Sequence, residues 1–66
     1  MKIGDIVEVN SGERGVVVKV EKMYPRHPQS PVGQIAVEWI GNAPKWWRRG
    51  LMFDTFSVNR VVSRAQ

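Results

Sequence analysis

The chain has no cysteine and a single histidine, His27. Without thiols there is no disulfide staple, no thiolate metal site and no cysteine nucleophile. One imidazole is too few for an all-protein zinc site, and no second group can be identified that would orient His27 as a general base. No apolar run approaches the roughly 20 residues of a membrane helix, and no signal-peptide pattern follows Met1. No segment repeats its apolar residues at helical period over about ten positions, so amphipathic helices are not expected. Acid is also scarce toward one end: from residue 44 onward Asp54 stands alone. The expectation is a soluble, cytoplasmic, non-catalytic module with no cofactor, no metal and no membrane partner.

What remains is 66 residues. Domains commonly run on the order of 100 residues, so 1–66 reads as one domain. A chain this short buries only roughly 60% of its unfolded surface. Lacking a staple, it must rely on a compact core or on a partner. The net charge is +4. Residues 1–43 contribute none of it, because Lys2, Arg14, Lys19, Lys22 and Arg26 are balanced by Asp5, Glu8, Glu13, Glu21 and Glu38. Lys45, Arg48, Arg49, Arg60 and Arg64 face only Asp54, so the whole excess lies in the last third. A one-sided basic field suits nucleic acid, acidic proteins or anionic lipid, and it also serves plain solubility.

Short β-branched runs broken by turns dominate the chain. Ile6–Val9 reads as a strand with Val7 and Val9 on one side and Ile6 and Glu8 on the other. Asn10-Ser11-Gly12-Glu13-Arg14-Gly15 is a turn cluster. The second strand, Val16–Glu21, has polar Lys19 and Glu21, which places Val16, Val18 and Val20 inward; Val17 breaks that alternation and signals a bulge, a kink or a second covered face. Three of the four prolines fall in Tyr24–Pro31, a long Pro-rich loop. In Gln34–Ile40, Ile35, Val37 and Trp39 share one face and Ala36, Glu38 and Ile40 the other. Lys45–Met52 fits either a fourth strand or a broad loop, Phe53–Ser57 a short turn or one 3₁₀ turn, and Val58–Val62 the last strand. Five short strands with frequent turns predict an all-β, antiparallel, five-stranded small barrel or sandwich.

The run Gly4-Asp5-Ile6-Val7-Glu8-Val9, then Gly12 and Gly15, then Val16-Val17-Val18-Lys19-Val20 resembles the KOW-motif hairpin of small SH3-like barrels over residues 3–21. The later outline is also similar to small photosynthetic SH3-like subunits and to the plasmid-type dihydrofolate reductase barrel. The resemblance implies a five-stranded SH3-like barrel with a single 3₁₀ turn before its last strand. It implies less about function, because such barrels host RNA binding, peptide binding, complex assembly and occasional catalysis. The Ala-Leu-Tyr-Asp-Tyr run of signalling SH3 domains is absent, as is the Val-Gln-Ile-Tyr stretch of the reductase pore.

Lys45-Trp46-Trp47-Arg48-Arg49 is the segment most suggestive of binding. On a strand the two tryptophans would point to opposite faces, one into the core and one outward. An exposed indole among cations is the composition of a base-stacking platform. It is equally that of a protein hot spot, and both rings could instead be core. Tyr24 and Arg26 in the Pro-rich loop, and Arg60 on the last strand, are candidates to extend the same surface. The glycine turn Gly12-Glu13-Arg14-Gly15 formally matches the GXXG loop of KH domains, but it joins strands rather than helices and reads as a hairpin. Outward Ile6, Val17 and Ile40 would form an apolar patch of the kind that marks oligomer or partner contacts. The function expected is nucleic-acid binding through the Trp/Arg surface. The alternative is docking on an acidic protein, and a homo-oligomer remains open.

Overall fold

A computed structural model describes residues 1–24 and 32–66. The Pro-rich loop, with Arg26 and His27, lies outside the described residues, as does the side chain of Tyr24. Five strands form one antiparallel sheet: β1 (Ile6–Val9), β2 (Arg14–Tyr24), β3 (Val32–Ile40), β4 (Phe53–Asp54) and β5 (Val58–Ser63). A 3₁₀ turn, Thr55–Ser57, leads into β5. The order across the sheet is β4-β3-β2-β1-β5. Among the described residues no ladder joins β4 to β5, so the sheet is open and the expected barrel closure is not seen.

The β1–β2 hairpin turns through Asn10, Ser11 and Gly12. The Val9 N–H donates to Glu13 O at 2.9 Å and the Gly12 N–H to Val9 O at 2.8 Å. Gly12 has φ of +99°, the left-handed conformation that three-residue hairpin loops place at this point. Gly15 serves a different purpose. A Cβ there would lie 2.9 Å from Val37 Cγ2 and 3.1 Å from Glu38 O, so only glycine lets β2 and β3 approach this closely.

The inward face of β2 differs from the simple alternation. Val17 is fully buried and Val18 is 46% exposed. The register explains the change: Val17 pairs with Val37 but Lys19 pairs with Ala36, leaving Val18 as the extra residue of a β-bulge. The bulge shifts the phase, so Val17 and Val20, not Val16 and Val18, face the core. Val17 therefore also leaves the expected outer apolar patch, whereas Ile40 is exposed and Ile6 half-buried.

The core is Val7, Val9, Val17, Ile35, Val37 and Phe53, with Met1, Val20, Trp39, Trp47, Val58 and Val61 packed at its edge. Its buried apolar side chains contribute roughly 1.5–3 kcal/mol each. One charged residue joins it. Asp5, 1% exposed, accepts hydrogen bonds from the Ala65 N–H at 2.7 Å and the Lys2 N–H at 3.0 Å. Its carboxylate thus ties the last residues of the chain to the first. These backbone donors, Ala65 first and Lys2 second, hold the Asp5 carboxyl below the ordinary carboxylate range against the opposing effect of burial.

Val17→Ala should cost about 2 kcal/mol in urea unfolding and Val18→Ala less than about 0.5 kcal/mol; equal costs would contradict the bulge register. Because the Asp5 pKa is lowered on folding, its contribution is present above the unfolded carboxylate value, about 3.9, and fades as pH falls through the folded value. Asp5→Asn should therefore destabilise the fold at pH 7, with the difference from wild type shrinking as pH falls below about 4. A pH-independent difference in thermal unfolding would show that charge is not what the two N–H groups hold.

Candidate functional site: a tryptophan loop with three exposed cations

Residues 41–52 form a broad loop rather than a strand. Two successive turns shape it. The Trp47 N–H donates to Pro44 O at 3.1 Å, and the Leu51 N–H to Arg48 O at 2.9 Å. Lys45 and Trp46 are the central residues of the first turn, Arg49 and Gly50 those of the second. Gly50 has φ of +82°, which the third position of such a turn favours. Pro44 is buried and fixes the start of the loop against the body.

Because the segment is not extended, the two tryptophans do not split between opposite faces. Both pack on Trp39, which projects from β3. Trp46 meets Trp39 edge-on at 6.1 Å between ring centroids, and Trp47 does so at 6.0 Å. Phe53, from β4, stacks on Trp39 at 5.9 Å and meets Trp46 edge-on at 5.3 Å. Offset-stacked and edge-to-face pairs at these separations each contribute about 0.5–1.5 kcal/mol beyond area burial. The Trp39 indole N–H is buried and has no acceptor among the described residues, so this cluster is held by ring packing at some polar cost.

The two loop tryptophans have different tasks. Trp47 is half-buried against the core, and its N–H donates to Leu51 O at 3.3 Å, closing the loop on itself. Trp46 is 42% exposed, and its N–H donates to Ser11 Oγ at 3.1 Å on the β1–β2 hairpin. Ser11 in turn donates to Glu13 Oε1. Asn10 carries the same rim onward: its backbone N–H reaches Ser57 O at 2.8 Å and its side-chain amide Phe56 O at 3.0 Å. Phe56 itself is 64% exposed.

Lys45, Arg48 and Arg49 are exposed, and none takes part in an ion pair among the described residues. Arg60 is placed differently. Its Nε lies 3.0 Å from Glu8 Oε2, with Arg14 Nε 3.5 Å from the other Glu8 oxygen and Asn59 also donating. The hydrogen bond from Arg60, then that from Asn59, holds the Glu8 carboxyl below its usual range. By strand alternation Glu8 and its register partners Arg14 and Arg60 lie on the outer face, away from Trp39 and Phe53. The structure thus gathers Lys45, Trp46, Trp47, Arg48 and Arg49 in one loop and assigns Arg60 to a charge cluster elsewhere. The Tyr24 side chain and Arg26 fall outside what is described. Ser11, Glu13 and Phe56 belong to the rim although the sequence marks them only as turn residues. No local signal reveals them, since Ser11 and Trp46 lie 35 residues apart.

No helix among the described residues is long and apolar enough to cross a membrane, and those residues hold no group of three or more metal-ligating side chains. No family model, curated protein or solved structure matches the chain.

The division of labour predicts unequal costs in chemical denaturation. Trp47→Ala should destabilise by about 2–3 kcal/mol, as expected for removing a large packed side chain. Trp46→Ala should cost about 1 kcal/mol, since the ring is nearly half exposed. A reversed order would exchange the two assignments.

Proposed function

We propose that the protein is a non-catalytic binding module that contacts nucleic acid through the loop bearing Lys45, Trp46, Arg48 and Arg49. The observation that carries this reading is the juxtaposition, on one loop, of a half-exposed indole with three cations that form no ion pair among the described residues. Cations free of internal carboxylates can neutralise phosphates, and an exposed indole face can stack on a base. Three of the six acids support the same reading. Asp5 is committed to backbone N–H groups, Glu8 to Arg60, Arg14 and Asn59, and Glu21 to Lys19. None of these is left as a poised general acid or base. The strand order and the 3₁₀ turn before β5 are compatible with an SH3-like barrel, the architecture proposed for the whole domain, and the cytoplasm is the proposed compartment.

A second reading has its own support. Trp46, Leu51 and Phe56 are large exposed apolar side chains on or beside the same rim. Such a surface also suits an acidic protein partner, with the aromatic rings as hot spots and the cations as steering charges.

Tryptophan fluorescence during titration with a mixed-sequence single strand separates the two. With three phosphate contacts the affinity should fall with a log–log salt slope of about −2, or about twentyfold between 50 and 200 mM salt. Lys45→Ala, Arg48→Ala and Arg49→Ala combined should abolish that slope. Absence of any spectral change at 50 mM salt would move the assignment to the protein partner.

A further inference from the structure

The indole N–H of Trp46 is already used. It donates to Ser11 Oγ at 3.1 Å, and the Ser11 hydroxyl spends its one hydrogen on Glu13 Oε1. The Glu13 carboxylate thereby directs the hydroxyl hydrogen away from Trp46 and leaves a lone pair for the indole. Phe53 and Trp39 hold the ring from the other side, each meeting it nearly at right angles, at 84°. A ring fixed in this way, 42% exposed, has its one N–H donor already spent and so has no free donor to read a base edge.

We infer that Trp46 is a stacking platform for an unpaired nucleobase, indifferent to which base it is, and that Ser11 is the positioning residue that holds the platform. This rests on the nucleic-acid reading of the loop and adds its substrate class: single strands of any composition. Stacking tolerates all bases because each has a π face. A duplex shields those faces and must first be unstacked.

The test is fluorescence anisotropy with labelled twelve-nucleotide strands of oligo-dT, oligo-dA and mixed sequence, and with a mixed duplex. The three strands should bind within about threefold of one another and the duplex about tenfold more weakly or less. Trp46→Ala should lose about tenfold or more in single-strand affinity. Ser11→Ala should lose about threefold, with an unchanged salt slope and melting temperature, because the phosphate contacts and core are untouched. Ser11→Thr, which keeps the hydroxyl, should restore affinity. In ¹H–¹⁵N spectra Ser11→Ala should displace the Trp46 indole N–H resonance, and Ser11→Thr should return it. Unchanged affinity in Ser11→Ala overturns the positioning role, and a strong base preference or tighter duplex binding overturns the stacking platform. In both cases a salt slope that vanishes in the triple cation variant keeps the nucleic-acid reading standing. If no strand binds, or the triple variant binds as wild type does, that reading itself falls and the inference falls with it.

Discussion

Trp39 joins the hydrophobic core to the tryptophan loop. It projects from the inner face of β3, in register opposite Gly15, and its ring touches Phe53, Trp46 and Trp47. β4 is only two residues long and pairs with β3 over Gln34–Asp54 and Ile35–Phe53. So short a ladder is weak by itself, and the Trp39–Phe53 stack supplies the packing that keeps it in place. The loop 41–52 has no ladder at all. Its position depends on Trp47 and Trp46 leaning on the same ring. Removing Trp39 would therefore release the loop and the edge strand together, while the β1–β2 hairpin kept its own hydrogen bonds.

The charges sort by the same geometry. On and beside β1, acids pair with bases or bind backbone. Glu8 collects Arg60 and Arg14 across neighbouring strands, and Asp5 gathers two backbone N–H groups that join the chain ends. In the loop no acid comes within ion-pair reach of Lys45, Arg48 or Arg49 among the described residues. A net charge of +4 thus becomes a local field beside an exposed indole rather than a diffuse surface property. This is the physical basis for reading the loop as a place where anions bind.

Much of the fold was legible because strands announce themselves locally. Val7 and Val9 opposite Ile6 and Glu8, and Ile35, Val37 and Trp39 opposite Glu38 and Ile40, follow from the two-residue period alone. Glycines at 12 and 15 marked the hairpin; of Phe53–Ser57, read as a turn, Thr55–Ser57 is the 3₁₀ turn before β5, whereas Phe53–Asp54 pairs with β3 as the edge strand β4. The valine run 16–18 shows the limit of that logic. Three equal side chains in succession leave the phase undetermined, and only pairing with β3 decides that Val18 is the residue bulged outward. The Trp46–Trp47 step fails for a related reason: alternation applies only to extended backbone, and Pro44 and Gly50 bend this segment into turns.

The sequence by itself determined the all-β character, the faces of β1 and β3, and the concentration of positive charge in the last third. These depend on residue type and on neighbours one or two positions away. Only the tertiary structure decided that Arg60 belongs to Glu8, that Trp46 rather than Trp47 faces outward, and that Ser11 holds it. Each of those contacts joins residues far apart in the chain, and their meeting depends on strand register and on the path of a loop, which no local pattern encodes.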